Sequence, residues 1–330
     1  MKKLAYVTNT DSNDISVIDL ADQKELGRIP IGGSPRGCMI IDPQGSYGYV
    51  SNCAGNTVSV IDLLEDREVT RIVVGMAPRG VTMTPDGKYL FVSNSGSDDV
   101  SIVDTERRQE ITRIEVGNNP RALSITPNGK FACVPLWGDD AVAILEIAED
   151  IQNSKVVSKI ALGQDAKPYH ACADWDNQYV YTANTHRHTL SVISLLTMEL
   201  QTEIPVGFGP RGVMPDPDDH YVYVSCEASN TVSVVDKHNW TEEKQIEVGP
   251  TPRGMRLDSI ERTMYVTAFA RDIGTASLRE KANALTVIDL KEKEAVGIIK
   301  TGLGPCSVNI YDPMMYGKSD TEKQQNVITQ

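Results

Sequence analysis

Residues Pro78–Gly117 read PRGVTMTPDGKYLFVSNSGSDDVSIVDTERRQEITRIEVG. The phrase returns, with variation, from Pro35, Pro120, Pro168, Pro210, Pro252 and Pro305, so that successive starts lie 43, 42, 48, 42, 42 and 53 residues apart. A period of about 40 to 45 residues made of strand-like runs is that of a propeller blade. KYLFVSN and DVSIVD alternate apolar and polar residues, the period-2 signature of strands. TPDGKY and TPNGKF place Asp-Gly and Asn-Gly between the first two runs, a turn that tolerates positive φ. In this copy the strands are expected near 78–84, 88–94, 99–104 and 109–116. Four short antiparallel strands cannot bury both faces alone. Seven such sheets packed around an axis can, and they leave only short edges. The expected fold class is therefore all-β, a seven-bladed propeller of four-stranded antiparallel blades.

The two ends of the chain fit a closed ring. It starts on the second strand of a blade (LAYVTN, Leu4–Asn9) and finishes the repeat on an orphan first strand (PCSVNIY, Pro305–Tyr311). Pairing the two completes the seventh blade, so loss of residues 305–330 is expected to unfold the protein. Residues 1–311 read as one propeller domain. Residues 312–330 lack periodicity and read as an irregular tail.

The words YVTN (Tyr6–Asn9) and VSN (50–52 and 92–94) resemble the YVTN family of β-propeller repeats, over roughly residues 1 to 311. The resemblance implies the fold. It names no activity, because look-alikes include surface-layer modules, quinohaemoprotein dehydrogenase subunits, lactonases and streptogramin lyases. Lactonase-like seven-bladed propellers are the more distant analogy.

The bulk composition narrows the partners. Lys and Arg total 32 against 45 Asp and Glu, a net charge of −13, which argues against a nucleic-acid partner. No apolar run is long enough to span a membrane, and no membrane partner is expected. Met1-Lys2-Lys3 leads directly into repeat sequence, with no signal peptide, and so points to the cytoplasm unless a signal was trimmed. The six cysteines show no CxxC spacing and several lie in apolar strands, so they are expected to be reduced. A monomer or weak homo-oligomer is expected.

With the copies aligned on their proline, the following position reads Arg36, Arg79, Arg121, Tyr169, Arg211, Arg253, Cys306. Five guanidinium groups would crowd one mouth of the central channel, at a cost unless an anion is present. They would suit a carboxylate- or phosphate-bearing small molecule, with Arg271 in the insertion of the Pro252 copy as a further contact. The alternative is that each pairs locally within its blade. The next position is small in six copies and is His170 in the seventh, beside Tyr169. The loop after the second strand adds His186 and His188 to that same copy, and its neighbours add Trp137, Cys226 and Glu227. The departures from the repeat thus converge on one sector of one rim.

Three functions are compatible with that sector. In a lyase, cycloisomerase or lactonase acting on a carboxylated molecule, the arginines, Trp137 and Cys306 would line the ligand site. His170, His186 and Glu227 would be the acid/base groups, and Tyr169 a donor to a developing oxyanion. In a transition-metal protein, His186 and His188 would ligate a zinc-like ion, with no other cofactor expected. His188, however, occupies a turn position that is Asn or Asp in other copies. In a scaffold, the rim and its insertion would meet a protein partner.

Overall fold

The computed structural model describes residues 2–217, 220–269 and 276–316. Seven four-stranded antiparallel sheets form a ring, each blade running outward from a strand that opens with the repeat proline, except in the Pro120 blade, where that strand is cut to Ser124–Ile125 and Pro120 makes an isolated bridge to Leu136. In the Pro78 blade the strands are Pro78–Met83, Tyr89–Asn94, Asp99–Asp104 and Gln109–Glu115, close to the expected boundaries. The last blade closes as the chain ends imply. Pro305–Tyr311 pairs antiparallel with Leu4–Asn9, Val308 facing Val7 and Tyr311 facing Leu4. The tail begins as a turn in which Tyr316 stacks on Tyr311, ring centroids 5.1 Å apart.

The core lies between blades rather than inside them. Phe91, Val100 and Ile102 of the Pro78 blade pack on Leu123, Val134, Ala143 and Leu145 of the Pro120 blade. Every blade repeats this junction, so each contact joins residues roughly one repeat apart. The outermost strands carry charge pairs such as Arg71–Glu68 and Arg113–Glu110, which blunts their free edges. A register shift between third and fourth strands recurs in all seven blades, for example between Ile102 and Val103.

Two devices position the innermost strands. Small residues after the rim position let neighbouring strands approach closely: a Cβ at Gly212 would lie 2.4 Å from the Arg253 carbonyl oxygen. Hydroxyl groups then tie one blade to the next. Ser51 Oγ donates to the Arg79 carbonyl (3.1 Å), Ser93 Oγ to that of Arg121 (2.5 Å), Ser225 Oγ to that of Arg253 (2.6 Å) and Thr267 Oγ1 to that of Cys306 (3.4 Å). The rim residues are thereby fixed by backbone anchors in the preceding blade. The corresponding residue is Pro135 in the Pro120 blade and Ala183 in the Pro168 blade, and neither can donate.

Candidate functional site

The mouth of the channel carries two layers of side chains, each contributed once per blade. The inner layer is the position after the repeat proline. The outer layer is the residue that follows the second strand: Thr10, Cys53, Ser95, Trp137, Thr185, Glu227 and Phe269. The turn after the second strand returns to the rim where the first strand starts, so the layers meet.

Their contacts are specific. Arg79 Nε donates to Ser95 Oγ (3.1 Å). The Arg121 guanidinium lies 4.9 Å from the Trp137 ring and 5.5 Å from that of Tyr169. Arg211 lies 4.3 Å from Tyr169 and 5.8 Å from Trp137. Arg253 sits 3.8 Å over the Phe269 ring. The aromatic rings also meet edge to face: Trp137 with Tyr169 at 5.9 Å and Trp137 with His186 at 5.4 Å. Aromatic faces hold these cations in place without using their N–H groups.

Those N–H groups are under-used. The buried Nε atoms of Arg36, Arg121 and Arg253, and Nη1 of Arg253, have no hydrogen-bond acceptor. Arg253 is only 5% exposed. Among the described residues the carboxylate that meets these arginines is Glu227, whose Oε2 lies 2.7 Å from Arg211 Nε and 3.4 Å from Arg253 Nε. The first of these contacts is too far off line for a hydrogen bond, although Arg211 Nη2 donates to Oε1 at 3.2 Å. Local pairing therefore reaches Arg79, Arg211 and, through the longer Glu227 contact, Arg253, and it leaves the buried N–H groups of Arg36, Arg121 and Arg253 without an acceptor. Burial, reinforced by the nearby charges of Arg79 and Arg211, pushes Arg121 down to about 10. The mouth thus holds more positive charge than its own residues compensate.

The histidines of the irregular blade have separate tasks. His170 Nδ1 accepts the backbone N–H of Val213 on the next blade (3.0 Å). This link stands in the blade whose second strand has Ala183 in place of a hydroxyl, which accounts for a bulky residue at a small position. Burial pushes His170 down to about 4, so it is neutral near pH 7. Neutral, with Nδ1 engaged, it braces the ring and is unsuited to the acid/base role expected of it. His188 adopts φ +58° and its Nδ1 accepts Gly209 N–H (3.1 Å), the turn role its position implies. His186, 48% exposed at its side chain, places Nδ1 3.1 Å from Asp165 Oδ1. The metal expectation is not met: among the described residues no three His, Cys, Asp or Glu side chains converge on a common point. The Nδ1 atoms of His170 and His188 are engaged by the backbone N–H groups of Val213 and Gly209, in and just before the strand Pro210–Pro215.

Trp137, Tyr169, His186, Glu227, Arg121, Arg211 and Arg253 are therefore gathered in one sector. Arg36 and Arg79 continue the ring, and Cys306 lies buried beside Arg253. Arg271 lies outside the described residues. Phe269 and Asp165 escaped the sequence reading, although Phe269 occupies the same repeat position as Trp137 and Glu227 and could have been found there. All six cysteines are free thiols. A cleft lined by Asp42, Tyr47, Tyr49 and Arg108 lies at the opposite rim and shares none of these residues.

Residues 1–116 match the cytochrome D1 heme domain family and residues 107–262 the YNCE-like beta-propeller family. No curated protein matches the chain. Among solved structures, Kuenenia stuttgartiensis hydrazine synthase is 23% identical, with 82% of this chain and 88% of that one covered and a TM-score of 0.69. The dihydro-heme d1 dehydrogenase NirN is 18% identical, with 92% and 64% covered and a TM-score of 0.69. The periplasmic gluconolactonase PpgL of Pseudomonas aeruginosa is 15% identical, with 94% and 99% covered and a TM-score of 0.77. At these identities the likeness is one of fold. No helix among the described residues is long and apolar enough to cross a membrane.

Proposed function

The chain is a seven-bladed propeller of the YVTN type, and from that premise we propose that it binds an anionic, carboxylate-bearing small molecule at the arginine-lined mouth of its channel. The observation that carries this reading is the set of buried guanidinium N–H groups on Arg36, Arg121 and Arg253 that have no acceptor. A buried charged donor left unpaired costs about 1–3 kcal/mol or more, and an acid group at the mouth removes that cost at several donors together. Trp137 and Tyr169 hold Arg121 and Arg211 by their faces and leave the donor edges for the ligand. Glu227 spaces Arg211 and Arg253.

Similar folds are named for acting on a dihydro-heme d1 and on gluconolactone. The acid groups of a tetrapyrrole or of a sugar acid would both suit these donors. The rim histidines do not offer a metal-ligand set, so the ligand is held here through its acid groups. For chemistry of the lyase, cycloisomerase or lactonase type, the proton carrier would be His186, oriented by Asp165, with Tyr169 as donor to a developing oxyanion. His186→Ala would then abolish turnover and leave binding within about twofold.

The reading is tested by thermal shift and calorimetry with aldonic acids, sugar phosphates and carboxylated tetrapyrroles. Arg121→Gln and Arg253→Gln should each weaken the responding ligand about tenfold or more, the equivalent of 1.4 kcal/mol. Identical affinities in wild type and both variants would sink it.

A further inference from the structure

Arg256 is a second cation on an innermost strand, further from the rim than Arg253. It lies on the innermost strand Pro252–Asp258, three residues beyond Arg253, which is about 10 Å further along the strand at 3.3 Å per residue. A register shift between Pro252 and Met255 breaks the strict alternation of faces between the two arginines. Arg256 faces Tyr265 of its neighbouring strand. The residues in the same register elsewhere are Ile40, Thr82, Ser124, Cys172, Met214 and Asn309. Six uncharged residues and one arginine make this position a departure as clear as those at the rim.

Arg256 is half-buried, and among the described residues it makes no hydrogen bond, ion pair or ring contact. Its field reaches the thiols of Cys38 and Cys172, on the innermost strands of two other blades, and the Tyr316 hydroxyl beyond the last strand. These groups stand on separate elements around the axis, and Arg256, on an innermost strand, is the cation they have in common. None of the uncharged residues at its level can neutralise it.

We propose that Arg256 is a second anion-binding position, and that the ligand is an elongated molecule bearing two acid groups, one for the rim and one for Arg256. This rests on the reading of the rim given above and adds the class of ligand to it. A guanidinium in a partly desolvated channel binds a carboxylate or phosphate through paired N–H groups. Two such positions spaced along one strand select for length and for charge at both ends. A ligand with a single acid group would leave one cation unmet.

Isothermal titration with adipate, suberate and sebacate against hexanoate, octanoate and decanoate tests this on the full chain. Wild type should bind the diacid of matching length at least tenfold more tightly than the monoacid of equal length. Arg256→Gln should bring that ratio close to one, whereas Arg121→Gln should weaken both series. Should Arg256→Gln fail to fold, Arg256→Lys decides the question, because loss of the two-pronged contact should lower the ratio at least threefold. A diacid preference that survives substitution of Arg256 would overturn the proposal. So would a wild type that binds monoacids and diacids alike, with the rim reading left standing. A wild type that binds no carboxylate would overturn both.

Discussion

His170 illustrates how one side chain can stand in for a missing backbone anchor. Where Ser51, Ser93, Ser225 and Thr267 hold the next blade by a hydroxyl, the Pro168 blade has Ala183, and the imidazole of His170 receives Val213 N–H instead. The bond requires neutral imidazole at Nδ1. Its folded value, about 4, lies below the ordinary 6.5, so the unfolded chain binds more protons across that interval. The stabilisation is fully present above pH 6.5 and is lost as the pH falls from 6.5 towards 4. The loss approaches about 3 kcal/mol at the acid end. His170→Asn should flatten the dependence of melting temperature on pH between those limits. A variant with the wild-type acid slope would show that other groups produce it. The same contact gives a structural reason for a histidine that stands out in the sequence: it fills the place of a missing hydroxyl anchor next to the site.

At the scale of the element, the innermost strand decides whether the rim residues converge. Gly212 allows the Arg253 carbonyl to approach to a distance that a Cβ would contest at 2.4 Å, and Gly212→Ala is expected to cost about 1–3 kcal/mol by overpacking. Chemical denaturation would read this as a lower midpoint with unchanged slope; a midpoint equal to wild type would mean the strand shifts freely. The Pro35 blade shows a related adjustment. Its first hairpin holds one residue more than the others, since Pro35 faces Asn52 whereas Pro78 faces Asn94, and Gly37 at φ +72° absorbs the surplus beside Arg79. The four-strand rhythm, the hairpin turns and the closing strand were legible because each is a local pattern of period two bounded by turn residues. The register shift that sets Arg253 and Arg256 relative to one another was not, because it depends on how the neighbouring strand pairs.

For the whole molecule, closure is the source of cooperativity. Pro305–Tyr311 contributes Val308 to the junction holding Ala5, Val7 and Leu285, which links the closing blade to the Pro252 blade. Removal of residues 305–330 should abolish the cooperative unfolding transition seen by calorimetry; a truncated chain that melted as wild type would contradict closure by this strand. The ring also separates charge by place. A net charge of −13 coexists with a cationic mouth because the acidic residues populate outer strands and turns. Ligand affinity should therefore fall steeply as ionic strength rises from about 0.01 to 0.15 M, as the screening length shortens from about 30 to 8 Å. Titration at the two salt levels would show this, and equal affinities would argue against anion capture by arginine.

The repeat alone determined the ring, its seven blades, the closing strand and the identity of the rim arginines, because a blade is built from contacts within about 40 residues that recur at every copy. Alignment of the copies also marked Tyr169, Trp137, His186 and Glu227 as departures that share a sector. Only the tertiary structure decided what those departures do. Whether an arginine is satisfied depends on the side chain that the turn of its own blade lifts to the rim, and on the anchor that the preceding blade supplies. Arg79 meets Ser95, Arg211 meets Glu227, and Arg36, Arg121 and Arg253 keep donors in reserve. These encounters arise from closing a circle, and a reading of one copy at a time contains no term for them.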